Sequence, residues 1–324
     1  MPASFSTNLM PDAPVADLIE MAVLAEQLGA ARCWVYDEGL ATRDVYVALT
    51  AIAANTTTMP IGPGITNPFV RHPGATATAI ATLDELSGGR TFLGIGAGGG
   101  LTLDPLGIER TRPLTAVREM IENLRALFGG FRVDHQGHSF SFHNARLDYG
   151  RSDIQIMMAG RGPKMTALGG EIADGFTLGY IHKTLLGDHV RSLREAATSR
   201  PFLITYSTAI ATDEAEFEAA REQLTFRLVD SPQHVKDLIE LTPEDTEQIR
   251  SSLAEGGPKL AARHVKDDWI RAFVIAGTPA ECGAELHQLL NDNQIDEFQL
   301  PVLGDGRGAD LIERTAAMFN QSNA

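Results

Sequence analysis

Short apolar runs alternate with longer amphipathic helical patterns along the chain, and this alternation limits the possible folds more than any other feature. The first unit is a predicted strand at residues 5–10 and a helix at residues 15–28, which ends at Gly29. Seven more strands are predicted at residues 33–36, 59–64, 91–95, 154–159, 175–179, 202–209 and 297–302. Eight strands, mostly separated by helices, favour an α/β fold of the parallel (β/α)8 TIM-barrel type over an open, doubly wound sheet.

Two segments interrupt the alternation. Residues 131–150 contain two short strand patterns around Gly137, which predict a hairpin inserted before the fifth barrel strand. Residues 230–268 are polar and helical without an obvious strand, so we expect an excursion of helices outside the main body. No repeat or low-complexity linker divides the sequence, and we therefore expect residues 1–324 to form a single barrel domain.

The charge balance argues against several classes of partner. The chain has 27 Lys and Arg against 42 Asp and Glu, a formal net charge of −15, and its basic residues are scattered. We therefore expect no binding to nucleic acid or to an anionic membrane, and any anionic ligand must be held by local groups. The sequence contains no pattern of a signal peptide or a membrane span. Its two cysteines are too few for a disulfide framework or a CxxC metal site, which favours a cytoplasmic protein.

The junction after the third predicted strand contains two glycines and two prolines within residues 62–68. Glycine adopts backbone conformations that other residues avoid, which suits a turn that a ligand approaches closely. We therefore interpret this turn as the wall of a cofactor site. Since the active site of a (β/α)8 barrel is built from loops at the C-terminal ends of the strands, the candidate residues include Asn8, Asp37, Glu38, Gly64, Ile65, Thr66 and Asn67.

Two further glycine-bearing turns belong to the same end of the predicted barrel. The turn of residues 160–164 precedes a helix whose free N–H groups can hold a phosphate, with added charge from Arg161 or Lys164. An ordinary βα connection is the alternative for this turn. The glycine run at residues 94–100 matches GxGxxG only superficially and lacks the downstream acid of a dinucleotide-binding fingerprint, which argues against a Rossmann fold.

The acidic pair after the second strand is the best candidate for proton transfer. Asp37 and Glu38 would lie in the mouth of the barrel, where an acid can hydrogen-bond a cofactor ring or relay a proton. Helix capping or simple solvation is the alternative, and it weighs more for Glu38 than for Asp37. The histidines of the predicted hairpin belong to the opposite end of the barrel, so we predict no metal site at His135, His138 and His143.

Five segments together carry a resemblance to a known family: residues 61–68, 79–90, 93–98, 160–165 and 170–175. With these motifs the chain resembles the bacterial-luciferase-like flavin and deazaflavin oxidoreductases. It is most similar to the coenzyme F420-dependent branch that contains methylenetetrahydromethanopterin reductase. The resemblance spans residues 5 to about 180, and a weaker similarity is found at residues 276–279 and 295–300.

The resemblance implies a luciferase-like (β/α)8 barrel with a non-proline cis peptide between Gly64 and Ile65, behind the central ring of the deazaflavin. It also implies a homodimer. The cofactor-binding residues that it implies are Asp37, Gly64, Ile65, Thr66, Asn67, Gly96, Ala97, Gly98, Ala159, Gly160, Arg161, Gly162, Pro163 and Lys164.

Our leading hypothesis is a coenzyme F420-dependent oxidoreductase that moves a hydride between C5 of the deazaflavin and a small organic substrate. Asp37 or Glu38 would supply a proton, and Asn8 would orient the substrate by hydrogen bonds. An FMN-dependent luciferase-like monooxygenase is the alternative, since the same fold and phosphate turn accept FMN. A third hypothesis is a cofactor-binding homologue without catalysis, because Asn8 and Gly99 stand where the related enzymes often have acids.

Overall fold

The computed structural model describes residues 3–197 and 201–321. Its strands are β1 (Ser4–Leu9), β2 (Cys33–Val35), β3 (Ile61–Pro63), β4 (Leu93–Ile95), β5 (Val133–Gln136), β6 (Ser141–Ala145), β7 (Ile156–Ala159), β8 (Gly175–Gly179), β9 (Leu203–Ser207), β10 (Ile210–Ala211), β11 (Ile275–Ala276) and β12 (Glu297–Val302).

The α-helices are α1 (Val15–Gln27), α2 (Val45–Asn55), α3 (Pro73–Ser87), α4 (Gly100–Leu103), α5 (Pro113–Phe128), α6 (Pro163–Ile172), α7 (Leu186–Ala196), α8 (Glu214–Val229), α9 (Gln233–Leu238), α10 (Pro243–Ala261), α11 (Asp267–Arg271), α12 (Pro279–Asp292) and α13 (Gly308–Gln321). Short 3-10 helices lie at Gly39–Ala41, Asp104–Leu106, Lys183–Leu185 and Ala262–His264.

Eight parallel strands form the barrel in the order β3-β2-β1-β12-β9-β8-β7-β4. Backbone hydrogen bonds join the two ends of this series and close the barrel, because Phe92 N donates to Ile61 O at 3.1 Å and Thr66 N donates to Gly94 O at 2.9 Å. These eight strands are the eight expected from the sequence, and the predicted TIM-barrel class is confirmed.

The barrel has an inner and an outer apolar layer. Trp34, Phe92 and Met157 form a separate buried cluster, in which the indole and phenyl rings lie 4.4 Å apart in an edge-on arrangement. The larger cluster packs the outer faces of the strands against the surrounding helices. Alternation along β2 explains the division, since Trp34 belongs to the inner layer while Cys33 and Val35 belong to the outer one.

Additional elements extend the barrel at two places. The antiparallel strands β5 and β6 form a hairpin between α5 and β7. A second apolar cluster holds α8, α9, α10 and α11 together beside the end of β8. The parallel pair of β10 and β11 escaped the sequence prediction because each strand has two residues, which is too short for a periodic signal. Among the described residues, no helix combines the length and apolarity needed to cross a membrane.

Candidate functional site

Two half-buried carboxyl groups follow β2 at the C-terminal end of the barrel. Asp37 Oδ2 accepts a hydrogen bond from Thr66 Oγ1 at 2.7 Å, and Glu38 Oε2 accepts one from Thr102 Oγ1 at 2.7 Å. Burial raises the pKa of Asp37 and that of Glu38, and the threonine hydrogen bonds offset this only partly. Carboxyl groups with raised pKa values are candidates for proton transfer in an active site.

The turn after β3 stands next to this acidic pair. The peptide bond between Gly64 and Ile65 is cis, as the resemblance implied. Asn8, at the end of β1, donates from Nδ2 to Gly64 O at 2.9 Å, and Asn8 Oδ1 is buried without a partner among the described residues. With 2% of its surface exposed, Asn8 lies beneath the turn and supports it.

The glycines of β3 and β4 are explained by the close approach of the two strands. A Cβ on Gly62 would stand 2.3 Å from Phe92 O, and one on Gly94 would stand 2.3 Å from Pro63 O. Real Cβ atoms do not approach carbonyl oxygens so closely. Gly62 therefore serves barrel packing, and the part of the turn that can face a ligand begins at Gly64.

Three loops meet where Ile65 packs. A Cβ on Gly96, after β4, would lie 2.1 Å from Ile65 Cδ1 and 3.3 Å from Ala159 O, at the end of β7. The loop after β4 is further held by Arg110, whose Nη1 donates to Gly98 O at 2.8 Å. The structure thus brings together the predicted residues of β3, β4 and β7, including Ala97, which packs against the outer core.

Asn67 orders the remainder of the β3 turn. Its Oδ1 accepts hydrogen bonds from Phe69 N and Val70 N, each at 3.0 Å. A Cβ on Gly98 would lie 3.4 Å from the Asn67 side chain, and Gly98 has a φ of +70°, which favours glycine. Asn67 is buried, so its contribution to the site is the shape of this loop.

The turn from Gly160 to Lys164 leads directly into α6. Gly162 is the N-cap residue, and Pro163 occupies the first helical position. The N–H groups of Gly162 and Lys164 have no acceptor among the described residues, and a Cβ on Gly162 would meet nothing within 4 Å. This helix end is open to an anion, whereas Gly160 packs against Met165.

Sequence reasoning missed one residue that faces this region. Arg227 of α8 stacks 3.8 Å above the ring of Tyr180, and Tyr180 Oη donates to Gln223 Oε1 at 3.0 Å. The positive charge of Arg227 acts on Glu38 and on Arg161. No local motif could have indicated Arg227, because its position depends on how the excursion of helices folds back over the barrel.

The hairpin histidines take no part in this site. His135 Nε2 lies 3.4 Å from Glu119 Oε2. The hairpin was expected at the opposite end of the barrel, and this was wrong, because it packs against the start of α3, where His72 Nε2 lies 3.0 Å from Ser141 O. Within residues 3–197 and 201–321, no group of His, Cys, Asp and Glu side chains could hold a metal ion.

The fold and the strand-end loops define a (β/α)8 barrel whose mouth combines half-buried acids with an anion-accepting helix end. The chain belongs to the luciferase-like monooxygenase family, whose model matches residues 1–296. This establishes the family that the sequence motifs suggested.

Individual relatives are consistent with this membership. The chain is 32% identical over 297 residues to 5,10-methylenetetrahydromethanopterin reductase of Methanolobus tindarius, covering 89% of this chain and 91% of that protein. It is 35% identical over 173 residues to F420-dependent glucose-6-phosphate dehydrogenase of Beutenbergia cavernae, covering 49% of this chain and 51% of that protein. Among solved structures, the coenzyme F420-dependent tetrahydromethanopterin reductase of Methanopyrus kandleri superposes with a TM-score of 0.87 at 27% identity, covering 99% of each chain.

Proposed function

We propose that this protein is a coenzyme F420-dependent oxidoreductase, which transfers a hydride between C5 of the deazaflavin and a small organic substrate. The observation that carries the proposal is the shared mouth of the β3, β4 and β7 loops, which lies beside two half-buried carboxyl groups. The names of the relatives support the cofactor, since an F420-dependent dehydrogenase and an F420-dependent reductase are both similar to the chain.

The residues of the mouth fit such a cofactor. The open N-terminus of α6 offers the N–H groups of Gly162 and Lys164 to a phosphate. Ile65 presents an apolar surface between the β3 and β4 loops for a flat ring. When bound, the deazaflavin would supply the hydride donor or acceptor.

The side chains of the protein would position the ring and carry the proton. Asn8 would keep the Gly64 carbonyl in place, because its Nδ2 bonds that oxygen. Asp37 is the better proton carrier of the two acids, since its partner Thr66 belongs to the β3 turn itself. Glu38 is tied to Thr102 in α4 and would mainly hold the loops at residues 38–41 and 100–106 together.

Titration of the purified protein with F420 and with FMN tests the cofactor assignment. We expect micromolar binding of F420, followed by fluorescence quenching, and at least tenfold weaker binding of FMN. A yellow protein that retains FMN through purification would contradict the assignment and favour the monooxygenase alternative. If F420 binds but its reduced form is never consumed with a panel of enones, imines and pterins, the protein is a binding homologue without catalysis.

We also propose a homodimer in a reducing, cytoplasmic location. Leu40 and Leu101 lie on two loops in contact and are 73% and 50% exposed, so apolar surface is available for a second copy. Both cysteines are free and buried, which is consistent with a reducing compartment. Sedimentation velocity would measure the mass, and a monomer at micromolar concentration would contradict the dimer.

A further inference from the structure

A second cavity opens beside the N-terminus of α6, between the barrel and the excursion of helices. Its volume is about 20 Å³, and the space around it is open to solvent. Its walls come from the turn before α6, the loop after β8, α7, α8, α9 and the loop before β11. The lining residues used below are Arg161, Tyr180, His182, His189 and Arg227. Apolar side chains, including Leu224 and Phe273, form the rest of the lining.

Two arginines in this cavity lack an anionic partner. Neither the Arg161 nor the Arg227 guanidinium makes a hydrogen bond or an ion pair within the described part of the chain, although Arg227 stacks on Tyr180. Burial, and then the neighbouring charge of Arg227, lower the pKa of Arg161 to about 10, which still leaves it protonated at neutral pH. Two neighbouring, partly buried cations without a counter-ion are unfavourable unless a ligand pairs with them.

The other ionisable groups around the cavity leave this positive charge uncompensated. Burial lowers the pKa of His182 and of His189, which keeps both rings neutral near pH 7. Asp230 and Glu38 attract the arginines from a distance, without an ion pair to either of them. Because the chain as a whole has a net charge of −15, this local positive charge is suited to binding an anion.

We propose that this cavity binds a carboxylate of an organic anion through Arg161 and Arg227. Guanidinium groups pair with carboxylates by two parallel hydrogen bonds, and the apolar side chains beside the arginines can contact the carbon chain that carries the carboxylate. The anion can come from the substrate or from an acidic chain attached to the cofactor. Only the second of these sources, the acidic chain of the cofactor, depends on the proposed function.

Two cofactor ligands and one free anion separate the sources. F420 and a deazaflavin riboside 5′-phosphate share the ring and phosphate, and only F420 carries an acidic chain. We would measure the binding of F420 and of the riboside phosphate to the unaltered protein, Arg227→Gln and Arg161→Gln. We would also measure the binding of succinate to the same three proteins loaded with the riboside phosphate. Arg250→Gln is the control, because Arg250 pairs with Glu247 on the outer helix α10.

If the cofactor chain occupies the cavity, Arg227→Gln weakens F420 binding about tenfold or more and leaves the riboside phosphate unaffected. If the substrate carboxylate occupies it, both cofactor ligands bind as before, and succinate binds the unaltered protein about tenfold more tightly than Arg227→Gln. Unchanged binding of F420 and of succinate in both arginine variants would overturn the proposal. Failure of the proposed function is distinct, since neither deazaflavin would then bind the unaltered protein, whereas succinate binding, measured in that case without cofactor, still reports on the cavity.

Discussion

Replacing Gly94 by alanine should destabilise the barrel by about 3 kcal/mol. The added Cβ would stand 2.3 Å from Pro63 O and 3.1 Å from Trp34 Cζ3, so that both the backbone of β3 and the inner ring cluster must move. The strands cannot separate freely, because Thr66 N donates to Gly94 O at 2.9 Å and closes the barrel at this point. Urea unfolding, with the free energy of unfolding extrapolated to water, measures the loss.

Gly99→Ala is the matched control for this change. Gly99 lies five residues further along the chain, in the loop between β4 and α4, has a φ of −115°, and has open space where a Cβ would stand. We expect its unfolding free energy to stay within about 0.5 kcal/mol of the unaltered protein. Equal stability of the two variants would show that the β3 and β4 strands are not packed as closely as the structure has them.

Replacing Asp37 by asparagine should lower kcat about 100-fold or more while it raises stability at neutral pH. Asparagine keeps an oxygen that accepts the Thr66 hydroxyl, but it cannot carry a proton. The folded state raises the pKa of Asp37 above 3.8, chiefly by burial, so folding takes up a proton between the unfolded and the folded pKa. The unfavourable contribution of this group therefore grows as the pH rises through that window and is complete above the folded pKa.

The stability of the asparagine variant should lose this part of its pH dependence. Its free energy of unfolding at pH 7 should be about 1 kcal/mol higher than that of the unaltered protein. Thermal unfolding from pH 4 to pH 8 and steady-state kinetics with the reduced cofactor measure the two effects. Glu38→Gln is the control, with a similar gain in stability and a smaller change in kcat. If the glutamine variant alone loses activity, Glu38 is the proton carrier instead of Asp37.

The barrel could be predicted from the sequence because each of its strands carries its own apolar signal. Every predicted barrel strand overlaps an observed one, and residues 175–179 and 297–302 agree at both ends. The strands β10 and β11 have two residues each, so their pairing is visible only when Ile210 and Ile275 come together in space. Local periodicity therefore determined the main architecture and missed the small additions.

The candidate site was only partly accessible from the sequence. Motifs after the strands indicated Asp37, Ile65 and the α6 turn, since the position of a loop in a barrel follows from the strand before it. The sequence could not predict whether a motif glycine serves packing or faces a ligand, because Gly62 and Gly162 have no distinguishing sequence pattern. The structure separates them, as a Cβ would strike Phe92 O at Gly62 and meet nothing at Gly162.

The binding of F420 to Gly162→Ala tests the central claim most directly, because this site was assigned to the cofactor phosphate. A methyl group there meets no protein atom but stands at the open end of α6. Gly283→Ala, on the outer helix α12 with ordinary contacts to Met318, is the control. We predict a dissociation constant for F420 at least about tenfold higher in Gly162→Ala, with stability within about 1 kcal/mol of the unaltered protein. Equal F420 affinity in Gly162→Ala, Gly283→Ala and the unaltered protein would contradict the account.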